Sequence, residues 1–402
     1  MQKNITDVNG IKVRGCHIGI KSKRRDLALI VSDVPASAAA VYTKNRIQAH
    51  PIILTKKHLE NGKAQAIVVT SGNANACNGP DGMDGAKKCA EALAEELDIP
   101  IEDVIVAATG VIGEPFPTDK VVKGIHKNVS VLSSRKIAGD MAANAIMTTD
   151  TFQKEGYLSF KIGKKKVNMA GIAKGSGMIH PDMATILGLI VTDCAIEPDL
   201  LQEALSESVK RTFNMITVDG DTSTNDMVSV LANGLAENER ITKKDEKYEK
   251  FQEKLEKICK HLAKAIISDG EGATKFVEYK VVNAKSEKDA RQVAKTIANS
   301  NLVRTALFGR DPNWGRIIAA AGRSGVEIEP DKIDIQLGSS KKMMKVAENG
   351  SGVNFEKKRL KLMLKSSQLR VLVDLNQGEH DATAWGCDFS YEYVRINAEY
   401  HT

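Results

Sequence analysis

The feature that most constrains the fold is an apolar run at residues 186–191, which follows a glycine-punctuated stretch at 174–185. Glycine and proline mark the earlier stretch as a loop, and a short apolar run closed by Thr192 and Asp193 is typical of a buried strand. Thr185 is therefore predicted to lie where a bent loop enters the core.

The threonine at this entry point has two interpretations. Thr is a weak nucleophile until a base takes its proton, and cleavage of the preceding bond, between Ala184 and Thr185, would free an α-amine that serves as that base. Such an amine has a pKa of about 7.7–8.0, which suits a general base at neutral pH. The alternative is an ordinary β-branched residue at the start of a strand, and spacing alone does not separate the two.

Composition indicates a globular protein. The 402 residues are enough for two or three domains, and 42% hydrophobic with 27% charged residues fits a packed core. The net charge of +6 is spread along the chain, which argues against a nucleic-acid partner and is compatible with a small anionic substrate. No apolar run is long enough to cross a membrane and the N-terminus lacks an apolar signal region, so we expect a cytoplasmic protein.

The sequence predicts neither a metal nor a cofactor. The six cysteines are scattered without a C-x-x-C pair or a histidine cluster, so we expect reduced, mostly buried thiols. The acidic stretch at 217–226 lacks the acid that a calcium-binding loop needs at its twelfth position. The strands carry no glycine-rich nucleotide-binding signature.

Hydrophobic periodicity predicts alternating strands and helices, and hence an α/β fold with several layers. Strands are predicted at 13–20, 27–32, 65–70, 104–108, 157–162, 167–170, 186–191, 276–282, 360–364 and 369–374. Helices are predicted at 86–97, from 198 onward, at 248–266, after Ser286 and at 317–321.

Three polar segments are candidates for a functional site. Thr109 and Gly110 end a strand, and a hydroxyl with a glycine N–H can donate two hydrogen bonds to an oxygen that becomes negative during acyl transfer. An ordinary strand-to-turn corner is the alternative. The hydroxyls at 148–151 commonly cap a turn in other proteins. Glu271 lies between two glycines, where a ligand can approach closely, although a lone loop glutamate is usually solvated.

The stretch Lys174-Gly-Ser-Gly-Met-Ile-His-Pro-Asp-Met-Ala-Thr185 resembles the self-cleavage segment of the ornithine acetyltransferase family. The segments at 108–115, 148–151, 217–226, 270–275 and 396–400 are also similar to family segments, and the resemblance covers essentially the whole chain. One departure is Asp182, where the family more often has Asn. An aspartate there leaves the Ala-Thr junction intact.

The resemblance implies a self-cleaving acyltransferase with Thr185 as its nucleophile, Ala184–Thr185 as its cleavage site, and Thr109 with Gly110 as its oxyanion hole. The residues implied to bind substrate are Thr148, Lys174, Thr185, Glu271, Asn397 and Thr402. The implied reaction moves an acetyl group from N-acetylornithine to glutamate without a cofactor. The sequence leaves open whether acetyl-CoA is also a donor.

The family implies an α-β-β-α layered core like that of self-processing amidohydrolases, with a smaller C-terminal α/β domain. The expected division is an N-terminal (α) chain at 1–184, the start of the β chain completing the core at 185–282, and the C-terminal domain at 283–402. The two chains are expected to pair as α2β2, with the C-terminus folded back over the site.

Two alternatives stay open. A self-processed aminopeptidase or amidohydrolase of similar fold would use the same nucleophile with water as the acceptor. A binding module without activity would keep its chain intact.

Overall fold

The structure is a computed structural model that describes residues 3–180 and 186–399, and its strands form two sheets. The first sheet contains β1 (Ile11–Cys16), β2 (Leu27–Tyr42), β3 (Lys63–Asn73), β4 (Val104–Val111), β5 (Lys154–Ile162), β6 (Lys165–Lys174), β7 (Leu187–Thr192) and β9 (Met227–Ala232). Its strand order is β4-β3-β2-β9-β7-β6-β5, with β1 paired to β2.

The second sheet lies mostly in the C-terminal part of the chain. It contains β8 (Ile216–Thr217), β10 (Phe276–Ala284), β11 (Asp334–Ser339), β12 (Met343–Glu348), β13 (Ser351–Gly352), β14 (Gln368–Asp374) and β15 (His380–Cys387). Its strand order is β13-β12-β11-β14-β10-β15-β8.

Eleven α-helices occur in the described residues. They are α1 (His50–His58), α2 (Gly79–Leu97), α3 (Thr118–Asn128), α4 (Lys136–Ala145), α5 (Pro198–Arg211), α6 (Glu246–Ser268), α7 (Glu287–Ala298), α8 (Asn301–Phe308), α9 (Trp314–Gly322), α10 (Lys357–Met363) and α11 (Tyr391–Glu399). The starts of α6 and α7 follow from capping, because the side chains of Asp245 and Ser286 accept hydrogen bonds from first-turn N–H groups.

The long strand β2 makes the first sheet fold over itself. Its first half pairs with β1 and β3, its second half pairs with β9, and the register with β3 shifts between Val31 and Ala36. One apolar core holds residues from both halves of the sheet, among them Ile67 from β3 and Leu189 from β7. The two halves therefore face each other as two layers.

Helices cover both outer faces of these two layers. Ala90 of α2 and Val121 of α3 pack with Val68 of β3 on one side. On the other side, Leu262 of α6 packs in a core with Ile190 of β7. This arrangement confirms the predicted α-β-β-α layers.

The second sheet joins the same core through α6. This helix packs on β5 and β6 of the first sheet and also contacts β8 and β15 of the second. Helix α7 packs on β10 and β15, which completes a second α/β unit. The domain boundaries at residues 184 and 282 stay predictions.

One predicted element has the wrong type of secondary structure. The predicted strand at 360–364 is wrong, because these residues lie in and just after helix α10. Leu360 and Leu364 are buried whereas Leu362 is exposed. Burial every fourth residue is the helical pattern, whereas a strand would have buried all three leucines.

Several predicted boundaries also differ from the structure. The first strand is Ile11–Cys16 rather than 13–20, and the second extends from Leu27 to Tyr42. Helix α2 begins at Gly79, seven residues before the predicted start. The thiols are free and all except Cys77 are buried in the described residues. No helix there is long and apolar enough to cross a membrane.

Helix α6 yields a stability prediction. Leu262 is fully buried in a core that contains residues of both the first sheet and the second α/β unit, whereas Leu362 is 61% exposed. We expect Leu262→Ala to lower the free energy of unfolding by about 2–5 kcal/mol, because it leaves a cavity. The matched substitution Leu362→Ala should change it by less than about 0.5 kcal/mol. Urea unfolding followed by circular dichroism measures both, and equal midpoints would contradict the packing described.

Candidate active site

A cleft of about 170 Å³ lies at the edge where the two layers of the first sheet meet. Thr109 of β4 lines it from one layer. Lys174 at the end of β6, Leu187 at the start of β7 and Asp226 just before β9 line it from the other. The cleft is therefore built from strand ends, where backbone and side chains are free to meet a ligand.

The structure brings together six of the residues predicted to form a site. Those that line the cleft are Thr109, Gly110, Thr148, Lys174, Glu271 and Asn397. Ala184, Thr185 and Thr402 lie outside the described residues. On either side of the undescribed segment 181–185, Ile179 and Ile186 also line the cleft.

The Thr109-Gly110 corner has features that an anion site requires. Gly110 has a φ of +135°, and a Cβ there would lie 2.3 Å from the Gly72 carbonyl carbon in the paired strand, so only glycine fits. Lys174 Nζ donates to Thr109 Oγ1 at 3.3 Å. Because an ammonium only donates, the Thr109 hydroxyl accepts this bond and keeps its own proton to donate.

Thr148 and Lys174 are held by one buried carboxylate. Asp150 accepts the Thr148 N–H at 2.9 Å and the Gly175 N–H at 2.8 Å. Burial alone would raise the pKa of Asp150, but the charges of Lys174 and Lys154, with hydrogen bonds, lower it to about 2. Asp150 is therefore an anion at neutral pH and attracts the ammonium group of Lys174.

Glu271 and Asn397 meet across the cleft from different parts of the chain. Asn397 Nδ2 in α11 donates to Glu271 Oε2 at 3.0 Å, so the last helix does fold back against the site. The Glu271 carboxylate also approaches Gly177 so closely that a Cβ there would lie 2.3 Å from Oε2. Glycine at this position is thus needed for the approach.

Three aspartates that line the cleft were not singled out from the sequence: Asp221, which is exposed, and the less exposed Asp219 and Asp226. Asp219 accepts the N–H groups of Met178 and Ile179 at 2.6 and 2.8 Å. Burial raises the pKa of Asp219, although these hydrogen bonds oppose the rise. The only sequence signal was the resemblance of 217–226 to a family segment, which did not say which carboxylate matters.

Asp226 is more deeply buried than Asp219, with 3% of its surface exposed. Among the described residues, its Oδ2 has no hydrogen-bond partner. Burial raises the pKa of Asp226 well above the ordinary carboxyl range, and the nearby Lys174 charge only partly opposes this. Its neighbour Asn225 donates to the carbonyls of Ala74 and Ala108 at 2.5 and 2.9 Å, which ties the two layers together beside Thr109.

A metal centre finds no support in the part of the chain that the structure describes. Within 3–180 and 186–399, no group of three or more His, Cys, Asp and Glu side chains is arranged to hold an ion. The polar groups of the cleft are instead hydrogen-bond donors, carboxyl groups and one lysine. Such a set can orient a small charged molecule and stabilise an oxyanion.

Comparison with known proteins gives a consistent set of relatives. The sequence matches the ArgJ family over residues 12–402. It is 51% identical to the arginine biosynthesis bifunctional protein ArgJ of Caldanaerobacter subterraneus subsp. tengcongensis, over 98% of this chain and 97% of that protein. A Clostridium acetobutylicum protein, arginine biosynthesis bifunctional protein ArgJ 1, is 48% identical over 100% of this chain and 98% of its own length.

A solved structure is also similar. The crystal structure of arginine biosynthesis bifunctional protein ArgJ from Bacillus halodurans is 45% identical, with a TM-score of 0.50. The match covers 52% of this chain and 96% of that chain. The solved polypeptide therefore corresponds to about half of this sequence.

Asp226 yields a pH-dependent prediction. Its folded pKa lies above the unfolded value of 3.8, so the folded state binds the proton more tightly and stability is lost as pH rises above that value. Asp226→Asn removes this penalty. Relative to the variant, the melting temperature of the wild type should therefore fall as pH rises from about 4 to about 8.

Calorimetric melting of both proteins across that range measures the effect. Asp221→Asn, at an exposed carboxyl in the same loop, is the control for a general loss of charge. Parallel melting curves for wild type and Asp226→Asn would show that Asp226 does not keep its proton in the folded state.

Proposed function

The chain belongs to the ArgJ family, whose members are ornithine acetyltransferases of arginine biosynthesis, and from this premise we propose that it transfers acetyl from N2-acetyl-L-ornithine to L-glutamate. The nucleophile is Thr185, exposed as a new N-terminus by self-cleavage after Ala184. The products are ornithine and N-acetylglutamate. The two chains made from one precursor stay together and pair as α2β2.

Self-cleavage creates the catalytic amine. Thr185 Oγ adds to the carbonyl carbon of Ala184, the peptide C–N bond breaks, and the nitrogen takes the proton. Water then hydrolyses the resulting ester. This leaves a carboxylate on Ala184 and a free α-amine on Thr185, which has the pKa range of a general base at neutral pH.

Acetyl transfer then proceeds in two half-reactions. The α-amine of Thr185 takes the Oγ proton, Oγ attacks the acetyl carbonyl of acetylornithine, and ornithine leaves with a proton on its nitrogen. The amine of glutamate next attacks the acetyl ester and regenerates Thr185. Thr109 and Gly110 stabilise the oxyanion in each half-reaction, a contribution worth about 10²–10³ in rate per donor.

The observation that supports the proposal is that described residues on both sides of the segment 181–185 line the cleft. Ile179 before the junction and Ile186 after it line the same cleft as Thr109 and Gly110. The Thr109 hydroxyl keeps its proton available because it accepts from Lys174. The proposed oxyanion residues, the charged side chains of Lys174 and Glu271, and the described neighbours of the proposed cleavage segment thus line one cleft.

The charges of the cleft suit the proposed substrates. Lys174 is the lysine among its lining residues, and Glu271 provides a carboxyl group at the opposite, α11 side. Acetylornithine carries one carboxylate and one ammonium, so we infer that Lys174 binds the former and Glu271 the latter. Thr148 and Asn397, which line the same cleft, complete the proposed binding set with Thr185 and Thr402.

The half-length solved relative supports the processing step. Cleavage before Thr185 would divide the 402 residues into chains of 184 and 218. The Bacillus halodurans polypeptide is matched over 96% of its length by 52% of this chain, which is the size expected of one processed chain.

A direct assay tests the transferase against the hydrolase alternative. We expect ornithine release from acetylornithine to depend on glutamate and to be matched by N-acetylglutamate formation. Ornithine and acetate released equally without glutamate would instead identify a hydrolase. The same assay with acetyl-CoA as donor separates a bifunctional from a monofunctional enzyme.

Denaturing mass spectrometry of the same preparation tests the nucleophile. The wild type should give two species of about 20 and about 24 kDa by length proportion. Thr185→Ala should give a single 43.6 kDa chain without activity. An active enzyme with an intact chain would refute the proposed nucleophile.

The oxyanion proposal predicts the effect of two substitutions at Thr109. Thr109→Val keeps the shape of the side chain but removes its donor, so kcat for transfer should fall about 10²–10³-fold. Thr109→Ser keeps the hydroxyl and serves as the matched control. Steady-state kinetics on fully processed enzyme measures both, and equal kcat values for the two variants would exclude a donor role for the hydroxyl.

A further inference from the structure

A fully buried lysine joins two aspartates close to the cleft. Lys154, the first residue of β5, is 1% exposed. Its Nζ lies 2.6 Å from Asp150 Oδ1, 2.6 Å from Asp269 Oδ2 and 3.3 Å from the Phe152 carbonyl oxygen. An ammonium has three protons, and these three acceptors use them all. Lys154 therefore has no donor left for a substrate and can act only through the groups that it holds.

The first aspartate fixes two segments of the site. Asp150 accepts the backbone N–H of Thr148 on one oxygen and that of Gly175 on the other, which also faces Lys154. Gly175 directly follows Lys174 in the chain. The position of Asp150 therefore sets the backbone on which both Thr148 and Lys174 are carried.

The second aspartate fixes a third segment. Asp269 accepts the N–H and the hydroxyl of Thr151, and its carbonyl oxygen accepts the Ser176 hydroxyl at 2.5 Å. The N–H of Glu271 in turn donates to the Ser176 carbonyl at 2.9 Å. Asp269 thus ties the segment that carries Glu271 to the segment that carries Lys174.

The charges of this cluster couple it to the cleft. Two carboxylates and one ammonium leave one negative charge in a buried place, which is costly unless another cation approaches. Lys174 is that cation, since its charge helps to lower the pKa of Asp150. Loss of Lys154 would leave Asp150 with Lys174 as its remaining cation, and would draw Lys174 toward Asp150 and away from Thr109, 3.3 Å distant.

We propose that Lys154 is a positioning residue of the transfer site, which holds Asp150 and Asp269 together and thereby sets the relative positions of Thr148, Lys174 and Glu271. The inference rests on the substrate-binding roles proposed above for those three residues. Lys154 is not among the residues that line the cleft, so its proposed role is to position residues that are.

The test compares two Lys→Met substitutions. Lys154→Met keeps the length of the side chain and removes its charge, and Lys165→Met does the same at an exposed pair with Glu237. Folded, processed enzyme is isolated by size exclusion and checked by circular dichroism and mass spectrometry. The kinetic constants for acetylornithine are then measured, together with the affinity for ornithine by calorimetry.

We expect Lys154→Met to lower kcat/KM about 10²-fold, mainly through KM, because a displacement of about 1 Å at the binding groups has an effect of that size. Ornithine affinity should fall in parallel. Lys165→Met should leave both within about twofold of the wild type, since exposed ion pairs contribute little. A purely structural lysine would lower the melting temperature and the yield while leaving kcat/KM per folded molecule unchanged, and that result would overturn the inference.

A second variant decides the question if Lys154→Met does not fold. Asp269→Asn keeps the shape of the side chain and leaves the Asp150–Lys154 pair in place. It should raise KM in the same direction by about 10-fold, and an unchanged KM would overturn the inference. A wild type without glutamate-dependent transfer would refute the proposed function, whereas an active wild type with unaffected variants would refute only the role of Lys154.

Discussion

The structure depends on the packing of the two halves of the first sheet against each other through their apolar faces. Because β2 is long and changes partners along its length, its first half lies in one layer and its second half in the other. Burial of the facing surfaces, at roughly 25 cal/mol per Å² of apolar area, holds the layers together. The strand ends of both layers are thereby brought to one edge, where Asn225 bridges them by hydrogen bonds to Ala74 and Ala108.

This geometry explains why the candidate site draws on distant parts of the sequence. Thr109 and Gly110 lie among the last three residues of β4 in one layer, whereas Lys174 ends β6 in the other. Glu271 follows helix α6 and Asn397 belongs to the last helix, so they reach the cleft from a third side. Each side chain needs only local structure to place it on its own element, and the layered core then brings the elements together.

The sequence predicted those parts of the molecule that have a local signal. The stripe at 248–266 predicted helix α6, and glycine-rich strand ends predicted the corner at Thr109. Lys154 and Asp226 were missed, because a buried charge is recognisable only from partners far away in the chain. The run Leu360-Lys-Leu-Met-Leu364 was predicted to be a strand, but the burial of Leu360 and Leu364 with Leu362 exposed is the pattern of a helix. Ala184, Thr185 and Thr402 lie outside the described residues, so their roles stay predictions.

The strand order of the first sheet also governs what a cut at the Ala184–Thr185 junction can do. Strands β7 and β9 from the C-terminal side lie between β2 and β6 from the N-terminal side. The N-terminal piece alone would have a gap of two strands in its sheet, and the C-terminal piece alone would expose both edges of an isolated pair. Neither piece holds all the strands of the first sheet, so this sheet needs both pieces to form, and they are tethered to each other only while the chain is continuous. Once the sheet has assembled, β9 is hydrogen-bonded to β2 and β7 to β6. These bonds would hold the two pieces together after the peptide bond between them is broken.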